Sequence, residues 1–174
     1  MVCNAAPILF TDFIMTDEKP KKITDEKVAL AKAEHYCAYQ ERAQQEVRDK
    51  LYEWGLWTDA VENIITELIS NNFLNEERFA RAYATGKFNQ NGWGRIKIKQ
   101  GLKLKRVPDI LIKKALQTIQ PGDYFNTLEQ ILTKKAASLT EKHYLKRQYK
   151  LQQYALGRGF ETDLILEVLK ASDL

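Results

Sequence analysis

The sequence predicts an all-α protein of three tandem three-helix repeats, helix-turn-helix-like in form, that stack into an elongated and curved body. Three observations lead to this fold class. Beyond Ile23 the apolar residues recur at helical spacing rather than in alternation. The same region is rich in Ala, Leu, Lys, Glu and Gln, which favour helices. Glycine and proline, which interrupt helices, fall mostly at the boundaries between the apolar segments.

Nine helices are predicted, and they fall into three groups of three. When the first group is displaced by 51 residues and the second by 53, apolar positions coincide in all three groups, as at Val47, Ile98 and Leu151. A repeat of this size is near the lower limit for a self-sufficient core, so the repeats are expected to stack on one another. The predicted helices are 26–38, 42–54 and 58–70, then 76–89, 94–105 and 108–119, then 123–138, 141–156 and 161–171. The predicted divisions are an N-terminal tail expected to be flexible, 1–23, and repeats at 24–73, 74–121 and 122–174.

The turn between the second and third helices of each repeat has a pattern of its own. Gly55-Leu56 and Gly159-Phe160 each place a glycine and then a large apolar residue after a helix, as in helices that end in a left-handed residue. Arg106-Val107 stands at the equivalent point of the middle repeat. A non-glycine residue with a positive φ is disfavoured by roughly 1 kcal/mol. A middle turn of different geometry is therefore predicted.

Charge is unevenly distributed along the chain, although the net charge is only +4. Residues 1–77 carry 8 basic and 15 acidic side chains, residues 78–158 carry 18 and 4, and residues 159–174 carry 1 and 4. A basic middle between acidic ends favours binding to a polyanion or to an acidic protein surface. A solvated charge distribution without a partner is the alternative.

The sequence offers no catalytic or metal-binding constellation, so neither enzymatic activity nor a cofactor is predicted. His35 and His143 are the only histidines. His35 and Cys37 are two residues apart on a predicted helix and so do not share a face, whereas a zinc site needs clustered ligands. No P-loop, dinucleotide-binding or G-x-S-x-G motif occurs.

Cysteine usage and the start of the chain bear on its location. Cys3 and Cys37 are the only cysteines, too few for a disulfide framework, which fits a reducing cytoplasm. No run approaches the roughly 20 apolar residues that span a bilayer, so no membrane segment is predicted. A mildly apolar start is followed by a polar segment after Met15. This pattern favours Met15 as the true start, with residues 1–14 not translated.

The strongest local feature is the basic segment 92–106, which contains no acidic residue. The next acidic residue along the chain is Asp109. On a helix, Ile98 and Leu102 would face the core, and the cations on another face would be able to contact phosphates. Trp93 lies between two glycines and is expected to anchor the turn or to stack on a base. A solvated helix face is the alternative. The cations of this segment are Arg95, Lys97, Lys99, Lys103, Lys105 and Arg106.

A second basic stretch covers 134–150. Lys142, Lys146 and Lys150 are four residues apart and share a helix face, with Tyr149 and Tyr154 nearby. A basic face with interleaved aromatic residues suits nucleic acid, although the pattern is unspecific. A three-helix unit whose last two helices meet at a short turn also resembles a helix-turn-helix, so sequence-specific DNA binding is an open alternative.

Four motifs, in this order, resemble the regulatory RecX family. Residues 39–51 resemble the family's R-S-x-x-E-L-x-x-K-L helix, and residues 75–83 resemble its D-E-R-F-A motif. Gly92-Trp93-Gly94 and a basic helix follow, as in the family, and residues 151–160 resemble its closing K-L-x-x-Y-L-x-R-R-G-F motif. The resemblance covers about 24–171. The departures are Ala43 in place of a frequent Ser, Arg106 in place of a usual turn glycine, and Gly157 in place of a common Arg.

The resemblance implies three tandem three-helix repeats that bind in the helical groove of the RecA–DNA filament. It implies inhibition of strand exchange, ATP hydrolysis and co-protease activity, and hence modulation of recombination, repair and the SOS response. Binding to single- and double-stranded DNA without strong sequence preference is also implied, and we expect a monomer. The side chains expected to contact the filament or DNA are Arg78, Arg81, Trp93, Arg95, Lys97, Lys99, Lys103, Lys105, Arg106, Arg147 and Lys150.

Two alternatives stay open. The first is a DNA-binding regulator that acts on duplex DNA through one helix-turn-helix-like unit, and the second is a structural helical-repeat adaptor with an unrelated partner. The three possibilities differ in what binding requires: the RecA filament, duplex DNA alone, or neither.

Overall fold

The computed structural model describes residues 22–23 and 25–172, and within these ranges the chain forms nine α-helices and no β-strand. The predicted all-α fold of three tandem three-helix repeats is confirmed. The expected start at Met15 lies outside the described residues. The helices are α1 (Glu26–Tyr39), α2 (Gln44–Glu53), α3 (Thr58–Ser70), α4 (Glu76–Asn91), α5 (Arg95–Leu104), α6 (Asp109–Gln117), α7 (Pro121–Ala137), α8 (Tyr144–Arg158) and α9 (Thr162–Ala171).

The most extensive helix contacts lie inside each group of three. In the first group α1, α2 and α3 all pack on one another, and the same is true of α7, α8 and α9. In the middle group α4 packs on both α5 and α6, which also pack together. We call these groups repeats 1, 2 and 3. The division points at 73 and 121 remain predictions.

The turn after the second helix has the same geometry in all three repeats. Gly55, Arg106 and Gly159 have φ values of 94°, 59° and 88°, so each is left-handed. The following amide closes the same wide turn in each repeat, as in the 3.2 Å bond that Val107 N donates to Leu102 O. The prediction of a different middle turn is therefore wrong. Burial of the apolar residue after the turn, Val107 in repeat 2, holds Arg106 in a conformation that its side chain disfavours.

Replacing Arg106 with glycine should stabilise the protein. Arg106→Gly should raise the free energy of unfolding by about 1 kcal/mol, because glycine adopts a positive φ without a steric penalty. Urea denaturation followed by circular dichroism measures the change. Arg106→Ala is the matched control, since it removes the same side chain but keeps Cβ. An equal rise in both variants would show that the side chain, and not the backbone, is responsible.

The hydrophobic cores divide the molecule unequally. Repeat 1 has a core of its own, which includes Leu51 and Leu68. Repeats 2 and 3 share one continuous core, in which Phe88, Tyr124 and Phe160 pack together. Repeats 2 and 3 are consequently joined by buried apolar surface, the dominant stabilising term in folding.

Two glycines allow the backbones of repeats 2 and 3 to touch. At the N-terminus of α5, Gly94 N donates to Arg158 O at 2.9 Å and Ile96 N donates to Gly159 O at 3.0 Å. A Cβ on Gly94 would lie 2.1 Å from Gly159 O, so no other residue fits there. The C-terminal end of α8 thus meets the N-terminal end of α5, and the opposite partial charges of the two helix ends attract.

Alanine at position 94 should therefore be disruptive, whereas alanine at position 86 should not. Gly94→Ala should lower the free energy of unfolding by about 1–3 kcal/mol or more, because the added methyl group overlaps backbone. Gly86 lies inside α4 with nothing within 4 Å of its Cβ position. Gly86→Ala should raise the free energy of unfolding by about 0.5–1 kcal/mol. Thermal unfolding of both variants tests the pair, and similar shifts would contradict the close backbone contact.

Candidate anion-binding surface

A series of alternating cations and aromatic rings crosses repeats 2 and 3. In repeat 2 the Lys105 ammonium lies 5.9 Å from the Tyr83 ring centre, and the Lys87 ammonium lies 5.5 Å from Tyr83 and 5.1 Å from Trp93. The Lys97 ammonium also lies over the Trp93 ring, 4.8 Å from its centre. Such contacts attract because the face of an aromatic ring carries partial negative charge.

The series continues in repeat 3 around one tyrosine. The Arg158 guanidinium lies 5.1 Å from the Tyr154 ring centre and the Lys135 ammonium lies 5.2 Å from it. Every member of the series is half-buried. We call the whole set the cation–aromatic ladder; it consists of Tyr83, Lys87, Trp93, Lys97, Lys105, Lys135, Tyr154 and Arg158.

Hydrogen bonds join the two parts of the ladder across the repeat boundary. Lys97 Nζ donates to Gly157 O at 3.2 Å, and Arg158 Nη1 donates to Asn91 O at 2.6 Å. Arg158 Nη2 also donates to the Tyr154 hydroxyl at 2.8 Å. The ladder is therefore one fixed surface rather than two independent patches.

Two open grooves run beside the ladder. The first, of about 800 Å³, lies at the boundary of repeats 1 and 2, and its lining includes Tyr83, Lys87 and Lys105. The carboxylates of Glu41 and Glu46 also line it, and both are held in ion pairs. The second, of about 570 Å³, lies between repeats 2 and 3 and is lined by Trp93, Lys97 and other residues. Asn91 belongs to both grooves. Cations and partly exposed rings along a groove suit a chain of phosphates or carboxylates, with stacking as an additional contribution.

Several of the predicted contact residues have structural roles. Arg78 forms an ion pair with Glu41 and donates to the Asn72 carbonyl at 3.2 Å. Arg147 caps the end of α7 through a 3.0 Å bond to Ala136 O. Arg95 places its guanidinium 4.1 Å from the Tyr124 ring centre and donates to Ile119 O at 3.2 Å. Lys105, a member of the ladder, also forms an ion pair with Glu46 of repeat 1.

The remaining predicted cations are exposed, and most have a nearby acidic or amide partner. Lys99 has no ion pair or hydrogen bond from its side chain within residues 25–172. Arg81 pairs with Glu77 at 2.7 Å, and Lys103 pairs with Asp109 at 3.3 Å. Lys150 pairs with Glu141 at 3.1 Å, and Arg106 donates to Gln45 Oε1 at 3.2 Å. Of the eleven predicted contact residues, the structure brings Trp93, Lys97 and Lys105 together in the ladder.

Lys87 and Arg158 were not among the contacts predicted from the sequence. Tyr83 and Lys87 are four residues apart on α4, and Tyr154 and Arg158 are four apart on α8. Side chains at this spacing are neighbours on a helix. An aromatic residue followed four residues later by a cation was the available signal in both cases.

Among the described residues no group of three or more His, Cys, Asp and Glu is arranged to hold a metal ion. Burial raises the pKa of the Cys37 thiol to about 11, so the thiol is protonated at neutral pH. A protonated thiol is a poor nucleophile and a poor metal ligand. The absence of enzymatic activity stays a prediction.

The three-helix repeats and the cation–aromatic ladder define an α-helical repeat protein with a cationic surface. Family models described as the first, second and third three-helix domains of RecX match residues 29–68, 75–116 and 122–169 in that order. The chain therefore belongs to the RecX family.

Individual relatives agree with this assignment. The regulatory protein RecX of Bacillus mycoides is 27% identical over 145 residues, which are 82% of this chain and 54% of that protein. That of Clostridium acetobutylicum is 30% identical over 133 residues, 74% of this chain and 61% of that protein. The crystal structure of RecX from Lactobacillus salivarius superimposes with a TM-score of 0.77 at 26% identity, covering 84% of this chain and 95% of that one. The chain spans about half the length of the first curated relatives it matches. No helix among the described residues is long and apolar enough to span a membrane.

A comparison of Arg78 with Arg81 tests whether Arg78 stabilises the fold, since Arg81 is an exposed arginine on the same helix. Arg78→Lys should lower the free energy of unfolding by about 1–2 kcal/mol, because lysine keeps the charge but cannot bond Glu41 and the Asn72 carbonyl together. Arg81→Lys should change the free energy of unfolding by less than about 0.5 kcal/mol, since its ion pair is exposed. Equal stability of the two variants in urea would contradict the structural role of Arg78.

Proposed function

We propose that this chain binds the RecA–DNA filament through the cation–aromatic ladder and inhibits its recombinase, ATPase and co-protease activities. Modulation of recombination, repair and the SOS response follows from that inhibition. The observation that carries the proposal is a fixed row of cations across two repeats in a member of the RecX family. An extended cationic surface suits an extended anionic partner better than it suits a small ligand.

The ladder is the favoured contact surface for two reasons. Lys87 and Lys135 make no ion pair within the described ranges, so their charge is not neutralised by a neighbouring carboxylate. Their ring contacts also limit the freedom of the side chains, which reduces the entropy lost when an anion binds. Exposed predicted residues such as Lys103 and Arg106 lie off the ladder and are proposed as secondary contacts.

Family membership and composition also support proposals for the DNA partners, the oligomeric state, the location and the repeat boundaries of this chain. Single- and double-stranded DNA are expected partners without strong sequence preference, because phosphate contacts carry no sequence information. We propose a monomer that acts in the cytoplasm. We also propose that repeat 1 ends at residue 73 and that repeat 2 ends at residue 121.

The decisive experiment titrates the protein into RecA-catalysed ATP hydrolysis on single-stranded DNA at fixed salt. The wild-type chain should lower the rate at well below one molecule per RecA monomer. A ladder variant that combines Lys87→Glu with Lys135→Glu should need at least about tenfold more protein, because like charges across an interface are costly. The matched control combines Lys27→Glu with Lys170→Glu, two exposed lysines outside the ladder, and should inhibit like the wild type.

Circular dichroism of each variant must first show an intact helical fold. Equal inhibition by the ladder variant and the control would remove the ladder from the contact surface. No inhibition by the wild-type chain, with the single strand saturated by RecA, would contradict the proposed function. Binding of labelled duplex DNA under those conditions would instead support the DNA-binding regulator.

A further inference from the structure

A third groove lies on the opposite side of α5 from Lys97. It has a volume of about 700 Å³ and is formed by α5, α6 and the start of α7. Its apolar part consists of Ile112, Leu116, Ile119 and Pro121, of which Ile112 and Ile119 belong to the shared core. This groove is separate from the two that run beside the ladder, because it shares no lining residue with them.

Three cations surround this apolar floor. Lys99 and Lys113 are exposed and make no ion pair or side-chain hydrogen bond within the described part of the chain. Arg95 donates one side-chain hydrogen bond to Ile119 O, so most of its five guanidinium N–H donors can reach another acceptor. The one carboxylate in the lining, that of Asp109, lies 3.3 Å from the ammonium of Lys103. The rim therefore carries an uncompensated positive charge.

The start of α7 also borders the groove. Pro121 is the first residue of this 17-residue helix and lines the groove. The preceding residue, Gln120, provides no side-chain cap, and the first turn of α7 carries one carboxylate, that of the exposed Asp123. The N-terminal end of a helix carries partial positive charge, which favours an anionic group nearby.

Apolar floor and cationic rim together specify the ligand. A nucleic-acid backbone would satisfy the cations but would leave the apolar floor without a matching group. A protein segment with a single large apolar side chain between carboxylates satisfies both, with the apolar side chain as the anchor in a desolvated centre. We propose that this groove binds an acidic peptide segment through one apolar anchor, with its carboxylates on Arg95, Lys99 and Lys113.

The proposal does not rest on filament inhibition, since it concerns a different face of α5. The probe is a short fluorescein-labelled peptide with one Phe among Asp and Glu residues, titrated into the full chain at low fixed salt. Fluorescence anisotropy measures the affinity. Isoleucine methyl NMR locates the site, and the methyl signals of Ile112 and Ile119 should shift while those of Ile64 and Ile65 in repeat 1 should not.

Two comparisons test the two halves of the site. The double variant Lys99→Glu with Lys113→Glu should weaken binding at least about tenfold, because carboxylates of the peptide then face like charges. The Lys27→Glu and Lys170→Glu control carries the same charge change and should weaken binding less than about twofold, as expected for charges remote from the contact. Replacing the Phe of the peptide by Ser should weaken binding at least about fivefold, because it removes the buried anchor.

Equal weakening by the control variant would overturn the cationic rim, and equal affinity of the Ser peptide would overturn the apolar floor. Unshifted Ile112 and Ile119 signals at saturating peptide would overturn the location. Labelled oligothymidylate is the competing probe. If it shifts these two signals and the peptide does not, the groove serves nucleic acid and the proposal is wrong.

Discussion

The contact between the end of α8 and the start of α5 determines how repeats 2 and 3 meet. Beside the paired backbones, the buried Tyr124 hydroxyl accepts a 2.9 Å bond from Arg95 N and donates a 2.6 Å bond to Glu161 Oε2. Burial and the Glu161 carboxylate raise the pKa of Tyr124 well above its ordinary value, so the hydroxyl keeps the proton that it donates. Both hydrogen bonds that connect the two parts of the ladder lie across this contact. A shift of repeat 2 against repeat 3 would break both hydrogen bonds and separate the two parts of the ladder.

Repeat 1 is attached to repeat 2 by a different kind of interface. Gln44 N donates to Glu76 Oε2 at 2.8 Å, and the ion pairs of Glu41 and Glu46 reach across to repeat 2. Burial raises the pKa of the Glu76 carboxyl, so this bond is made by a group that is costly to bury when charged. Apart from Ala43, which packs in the second core, the two cores remain separate. Because these ion pairs are only partly buried, salt screens them more than it affects the apolar contact between repeats 2 and 3, so this boundary is the more sensitive of the two to ionic strength.

Much of the fold could be predicted from the sequence because helical spacing is a local property. All nine predicted segments are helices, although α8 begins at Tyr144 rather than at 141. The turn at Arg106 was predicted wrongly, since residue preference indicated strain but not that burial of Val107 would outweigh it. Preference is a weak term compared with burial of a large apolar side chain.

The candidate surface was less predictable because charge along a sequence does not reveal partners in space. The basic segment 92–106 was identified, yet Arg95 turned out to lie on Tyr124, twenty-nine residues away. Lys105 and Tyr83 are likewise brought together only by the packing of α4 on α5. The local pairs on α4 and α8 were within reach of sequence reasoning, whereas the bonds of Arg158 to Asn91 and of Lys97 to Gly157 were not.

The aromatic rings beneath the ladder cations also set a limit on what the surface can recognise. A free lysine samples many rotamers and can follow almost any arrangement of anions, whereas one held against a ring stays near a single position. The separations between the ladder cations are thus part of the structure itself. As the proposed contact surface, the ladder would discriminate among equally charged partners by the pitch at which their charges repeat.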